Sequence, residues 1–276
     1  MPVLQWSYME KAGVLSMNNV SKTLYIPLYG KAYVSRRGMI LHDSKAEEIW
    51  SAEGFPLKGK SKSKWLAYYM GMRSAVFDRW VGEMFQKHPD SLVLHLGCGM
   101  DSRNLRVGTG AKAWFDVDFP AVIQERKRYY AESDCYQMVG SDLREEAWME
   151  ELPGGGCAII VMEGISMYLA LEDLKRLLKR LRAHFGEVHI LMDCYTTLAA
   201  KASKYKNPIN DVGVTAVYGI DDPEVLTVET GLSLVKEHNL TPEDLIGQLR
   251  SGEQKIFRTL YAGSFAKKLY RMYEFH

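Results

Sequence analysis

The stretch "VLHLGCGMDSR", residues 93 to 103, decides how the chain is read. An apolar run breaks at Gly97-Cys98-Gly99, and an aspartate and an arginine follow at positions 101 and 103. Two glycines at the mouth of a strand let the backbone turn sharply and come close to a ligand, because a side chain at either place would collide. Ser102 stands where the dinucleotide fingerprint G-x-G-x-x-G has its third glycine. A G-x-G turn without that third glycine is weak support for a nucleotide site, so the weight falls on what surrounds it.

From residue 91 onward, short apolar runs alternate with helical stretches, the pattern of βαβ units and a parallel sheet in an α/β fold. The strands expected are "SLVLHLG" (91–97), "KAWFDVD" (112–118), "YQMVGSD" (136–142), "GCAIIVMEG" (156–164) and "EVHILMDCY" (187–195). Between the last two, Leu171, Leu174, Leu177, Leu178, Leu181 and Phe185 recur at helical spacing, with Gly186 placed to end the helix. Residues 1–90 carry scattered Trp, Tyr, Met and Lys in helical stretches and read as a helical cap. The core then spans 91–276, with a polar, turn-rich, lid-like insertion near 196–226. Thr241 and Pro242 open a late helix, and "KKLYRMYEF" (267–275) alternates like an edge strand.

In an open parallel sheet, ligands gather at the carboxyl ends of the strands. Here those ends carry the two glycines, Asp116 and Asp118, Asp142, Glu163 and Asp193. This acidic rim suits a ligand with a positive charge, a ribose diol and an adenine better than it suits a pyrophosphate. Asp118 lies about 20 residues after Gly97, the offset at which an acidic residue meets a ribose hydroxyl pair. It also precedes "PAVIQERKRYY", where it could serve as a helix cap instead. Asp142 has the same two readings, an acceptor for an adenine amino group beside Leu143 or a cap. Glu163 ends an apolar strand, where a carboxylate needs a partner. Tyr168 is either core or turned toward the reacting centre.

Composition narrows the function. Lys plus Arg (35) balance Asp plus Glu (34), so no overall field draws the protein to nucleic acid or to an anionic membrane. No run of about 18 apolar residues occurs and the first residues lack a secretory pattern, so a cytoplasmic protein is expected. The four cysteines, at 98, 135, 157 and 194, form no CxxC pair, which suggests neither a disulfide framework nor a metal site. No catalytic triad is visible, and His95, on the first strand, is a poor general base because it should be buried.

Taken together, "VLHLGCGMDSR", "FDVDFPAVIQERK", "SDLRE" and "EGISMYL" resemble the leucine carboxyl methyltransferase family, over about residues 22 to 195. The resemblance implies a class I methyltransferase fold, a Rossmann-like seven-stranded sheet whose last strand is antiparallel, and S-adenosylmethionine as cofactor. It implies that Gly97 and Gly99 flank the methionine moiety, that Asp118 holds the ribose with Asp116 sharing that contact, and that Asp142 and Leu143 meet the adenine. Glu163 falls near the methionine end, and Glu163 and Tyr168 are the residues placed closest to the chemistry. "GKAYVSRRG" and "YYMGMRSAVFD" resemble segments that supply a lysine and an arginine to the cofactor carboxylate, which nominates Lys31 and Arg73 over the alternative of solvated surface cations. Asp101 then orders the glycine loop. Cys98 and Asp116 depart from the residues common in the family. The expected activity is methylation of a carboxylate or hydroxyl of a small-molecule acceptor. The alternatives are a protein C-terminal carboxylate as acceptor, a non-catalytic cofactor-binding module, and a nicotinamide-dependent dehydrogenase.

Overall fold

Side-chain alternation sorts the first strand between two cores: Leu92, Leu94 and Leu96 join one apolar cluster and Val93 the other. The fourth strand divides in the same way, with Ala158, Ile160 and Met162 in one cluster and Ile159 and Val161 in the other. Strands apolar on both faces must be covered on both faces, which a parallel sheet between helical layers achieves.

The computed structural model describes residues 24–53, 59–108, 111–203 and 217–276. Three helices come first: α1, described over 24–35, α2 (Ser44–Glu53) and α3 (Lys64–Lys87). There follow β1 (Leu92–Leu96), α4 (Arg103–Val107), β2 (Ala113–Asp118), α5 (Pro120–Arg126), β3 (Tyr136–Gly140) and α6 (Ala147–Glu150). Next come β4 (Cys157–Met162), α7 (Leu171–His184), β5 (Glu187–Tyr195) and α8 (Thr197–Ala202). The last elements are β6 (Leu234–His238), α9 (Glu243–Ile246), α10 (Ser251–Tyr261), α11 (Ser264–Lys267) and β7 (Tyr270–Phe275).

The seven strands lie in the order β3-β2-β1-β4-β5-β7-β6, with β1 to β5 parallel and β7 antiparallel to both its neighbours. The order reverses between β1 and β4, and that switch point opens the crevice where such sheets bind ligands. The structure corrects one expectation here. The strand expected at the edge, β7, lies inside the sheet with Met272, Tyr273 and Phe275 fully buried. The edge is β6, unrecognised in the sequence because its Val235, Lys236 and Glu237 are exposed and lack a buried alternation.

Helix α7 buries Leu174, Leu177, Leu178 and Leu181 on one face, each worth about 1.5–3 kcal/mol when removed from water. It ends at His184 with Phe185 in the cap position, so Gly186 is not used as a left-handed terminator; Phe185 instead packs into the same cluster as the leucines. Late in the chain, α9 has Pro242, not Thr241, at its N-cap. On the other side of the sheet, Leu28, Ile49, Phe77 and Trp80 of α1 to α3 share a cluster with Ile159, Val161 and Leu191 of the strands. Residues 204–216, the middle of the expected insertion, lie outside the described residues. Among the described residues, no helix is long and apolar enough to cross a membrane.

Helix α5 is fastened to β2 by charge as well as by packing. Arg126 and Asp116 are both fully buried and paired, and the guanidinium lies 3.9 Å from the centre of the Tyr130 ring. Breaking a buried pair from one side leaves an uncompensated charge. Arg126→Met should therefore lower the unfolding free energy by about 3–5 kcal/mol in urea titrations, whereas a loss below about 1 kcal/mol, the worth of a surface pair, would show that the pair does not hold the fold.

Candidate active site

The site begins where β1 ends. Gly97 and Gly99 have φ of +67° and +51°, the left-handed region that penalises any residue with a side chain. Space restricts them too: a β-carbon on Gly97 would lie 2.0 Å from Ile165 Cγ2, and one on Gly99 would lie 2.7 Å from Leu24 Cδ2. The loop is anchored from β2, for the N–H of Gly97 donates to the Val117 carbonyl at 2.7 Å and the N–H of Gly99 donates to Asp118 Oδ2 at 2.8 Å.

Asp118 takes a second hydrogen bond, from the N–H of Phe119 to Oδ1 at 2.7 Å. The N-cap of α5 is Phe119, with no side-chain cap, so Asp118 is not occupied in capping that helix. Its environment is otherwise dry, and burial pushes its carboxyl up to about 6 against the pull of the two N–H groups. Asp116 sits quite differently. It is fully buried and accepts hydrogen bonds from Trp114 Nε1 at 2.8 Å, from the Tyr136 hydroxyl at 2.6 Å, and from Arg126. Burial opposes its ionisation, but Arg126 and His95 outweigh burial and bring the carboxyl down to about 2. Arg126 also donates to the Gly99 carbonyl at 3.0 Å, so Asp116 acts on the glycine loop from behind.

Asp142 follows β3, next to Ser141, whose N–H donates to the Asp118 carbonyl at 2.8 Å. Its carboxylate pairs with the Arg144 guanidinium, whose hydrogen bonds lower its pKa, and it caps no helix. Leu143 is buried in the cluster beneath.

Lys31 and Arg73 are not surface cations: both are buried. Lys31 Nζ lies 2.9 Å from Asp101 Oδ2. Arg73 donates through Nε to Glu163 Oε1 at 3.0 Å and through Nη1 to the Tyr270 hydroxyl at 2.9 Å, and Nη1 lies 3.3 Å from Asp193 Oδ2. The Tyr270 hydroxyl in turn donates to Asp193 Oδ2 at 2.7 Å. Between these two centres lies Arg103, which donates to Asp78 Oδ1 at 2.7 Å and to Glu163, and which stands 3.4 Å from Asp101 Oδ2. Arg106 joins Asp78, Asp43 and Asp101 at 2.6, 2.6 and 2.8 Å. Burial pushes Glu163 up, but Arg73 and Arg103 hold its carboxyl at about 2. His95 links the two networks: its Nε2 is 3.1 Å from Arg103 Nη1 and its Nδ1 is 3.3 Å from Asp116 Oδ1, and burial lowers its pKa so that it stays neutral. Tyr168 closes the turn after β4 and keeps more than a third of its surface exposed at 38%, so it is not core.

Lys31, Arg73 and Glu163 are thus brought into one network, and Asp118, at the end of β2, is bonded to the loop that carries Gly97 and Gly99. Arg103, Arg106, Asp43 and Asp78 escaped the sequence reading. A signal was there for two of them, since Arg103 and Arg106 are three residues apart and face the same side of α4. The arrangement fits a nucleoside joined to an amino acid: a side-chain-free turn for close approach, a carboxylate at the loop for a diol, and two buried cations for a carboxylate.

The family model for leucine carboxyl methyltransferase matches residues 19–182. The chain is 28% identical over 263 residues to the tetracenomycin polyketide synthesis O-methyltransferase TcmP of Streptomyces glaucescens, covering 93% of this chain and 97% of that one. It is 24% identical over 238 residues to the S-adenosyl-L-methionine-dependent methyltransferase dpfgK of Gibberella zeae, covering 78% and 80%. Among solved structures, a putative methyltransferase from Thermobifida fusca shares the fold with a TM-score of 0.53 at 13% identity, over 90% of this chain and 93% of that one. The magnesium protoporphyrin IX methyltransferase of Synechocystis gives 0.50 at 13% identity, over 84% and 92%. With more than half its length inside the family model and the expected sheet built around the glycine loop, this chain belongs to the leucine carboxyl methyltransferase family and has the class I methyltransferase fold.

Proposed function

We infer that this S-adenosylmethionine-dependent O-methyltransferase methylates a carboxylate or hydroxyl of a small-molecule acceptor in the cytoplasm. The observation that carries the acceptor class is the reach of the likeness to TcmP, which extends over 93% of the chain and so past residue 182, where the family model stops. The four cysteines, none of them disulfide-bonded, support the compartment.

The cofactor would supply a methyl group on a sulfonium, ready for direct displacement. The chain's own task is then alignment and exclusion of water. Asp118 would accept hydrogen bonds from the ribose hydroxyls, Asp142 and Leu143 would border the adenine, and Gly97 and Gly99 would allow close approach to the methionine portion. Lys31 and Arg73 would supply positive charge to its carboxylate, each already oriented by an internal carboxylate, Asp101 for Lys31 and Glu163 for Arg73. Glu163 holds Arg73 in that orientation, and Tyr168 faces the acceptor. A carboxylate acceptor is already a nucleophile at neutral pH and needs no base; His95, buried and neutral, supplies none.

Titration calorimetry with S-adenosylhomocysteine tests the cofactor assignment. A diol donates to the ionised form of Asp118, so a proton competes with the ligand. Affinity should be level above about pH 7 and fall about tenfold per unit once the pH drops below the folded pKa, which is about 6. Asp118→Asn should weaken binding about 10- to 100-fold, the worth of a charge-assisted hydrogen bond, and should remove the pH slope; an unchanged slope in the folded variant would move the ribose contact elsewhere. The same shift carries a stability term of the opposite sense. Because the folded pKa is raised, the ligand-free protein gains stability from Asp118 below the unfolded pKa and loses it as the pH rises through about 6.

Acceptor class is read by labelled methyl transfer to small carboxylic acids and phenols. Esters release the label in mild alkali and aryl ethers retain it. Labelling of a peptide C-terminus in preference to every small acceptor would reverse the acceptor assignment, and binding with no transfer to either would leave a cofactor-binding module.

A further inference from the structure

At the end of the sheet opposite the glycine loop, four metal-ligating side chains meet. Cys157 and Glu187 open β4 and β5 and are direct partners in the parallel register, and His189 lies two residues further along β5 on the face that Glu187 uses. His88 is the C-cap of α3, held there by its N–H donating to the Met84 carbonyl at 2.8 Å. One ligand atom from each of the four lies within 4.8 Å of the other three. Glu187 stands between the imidazoles, with Oε1 3.0 Å from His189 Nε2 and Oε2 3.8 Å from His88 Nδ1. The two rings are 4.2 Å apart between centroids, and the His276 ring stacks on His189 at 4.7 Å.

The geometry points to a divalent transition-metal site, of the kind that takes zinc, with His88, Cys157, Glu187 and His189 as its ligands. Two imidazole nitrogens, a thiolate and a carboxylate form a mixed N, S and O set, which suits zinc and its neighbours and is unsuited to magnesium or calcium, whose ligands are oxygens. Tetrahedral bonds of about 2.0–2.3 Å place ligand atoms about 3.3–3.8 Å from one another, and the four ligand atoms, all within 4.8 Å of one another, need only small side-chain movements to close onto a common centre. Coordination by Cys157 displaces the thiol proton into solvent. All four side chains are partly buried, so the position is sheltered while still reachable from water. Three separate elements would be joined: the end of α3 and the starts of β4 and β5. A metal there would tie the N-terminal helical layer to the sheet without touching the residues assigned to the cofactor, and it would stabilise the native state by mass action.

The test uses the untagged full chain, stripped with a chelator, exchanged into chelator-free buffer and titrated with Co²⁺. One equivalent should produce tetrahedral ligand-field absorption with a thiolate-to-cobalt charge-transfer band, and Zn²⁺ should abolish both. Cys157→Ser should lose the charge-transfer band, and Cys157→Ser and His189→Ala should each weaken binding by at least about tenfold, the loss seen even when only a ligand's supporting group is removed. Affinity for S-adenosylhomocysteine should be the same in Cys157→Ser as in the parent. Absence of the charge-transfer band at one equivalent, or undiminished Co²⁺ binding in both variants, would overturn the site. Should the variants fail to fold, alkylation mapped by peptide on the parent decides: one equivalent of Zn²⁺ should slow labelling of Cys157 at least about tenfold, with the exposed Cys135 unaffected. Equal rates at Cys157 with and without Zn²⁺ would refute the proposal.

Discussion

A guanidinium with no access to water must find its partners inside the protein, and Arg103 is such a group. Removing an ion from water costs several kcal/mol even after relaxation, so its neighbours are constrained to lie where they can neutralise it and accept its hydrogens. They come from separate parts of the chain: Asp78 from α3, His95 from β1, Asp101 from the glycine loop, and Glu163 from the end of β4. Satisfying this one cation docks the N-terminal helices onto the strand ends. The docking in turn brings Lys31 and Arg73, from two of those helices, onto Asp101 after β1 and Glu163 after β4.

The two aspartates of β2 show how position divides one chemistry into two roles. Asp116 is surrounded by donors and a buried cation, so it is held ionised and works as part of the framework. Asp118, two residues later, has two backbone N–H groups and no cation at ion-pair distance among the described residues, so burial dominates. A carboxylate that its own fold satisfies incompletely retains acceptor capacity for a further donor. Breaking a buried pair such as that of Asp116 from one side leaves an uncompensated charge, which is why Arg126 and Asp116 are constrained together.

Much of this was legible from the sequence because it rests on local pattern. The strands β1 to β5 follow from apolar runs ending in polar turns, α7 follows from its leucines, and the glycine turn follows from the motif. The edge strand β6 was not legible, because exposed Lys236 and Glu237 leave no alternation to read and its pairing is set by β7. Arg126 was hidden for a related reason: in a run of charged residues, nothing local distinguishes the one that turns inward to Asp116. The cluster of His88, Cys157, Glu187 and His189 is invisible to spacing rules: Glu187 and His189 are two apart on one strand, but Cys157 joins them only through the register of β4 with β5 and His88 only through the packing of the end of α3.

The place of β7 has a consequence for the order in which the molecule is made. Every other strand of the sheet precedes it in synthesis, yet it inserts between β5 and β6 and carries Tyr270 to Asp193 and Arg73. Pairings between segments so distant in sequence form late, because the intervening chain must first be gathered. Until then β5 presents a bare hydrogen-bonding edge beside an arginine and an aspartate that lack their common phenol. A nascent chain that has folded through β5 therefore has the glycine loop and the parallel strand ends in place but one open edge, and that edge is where it is most exposed to pairing with another molecule.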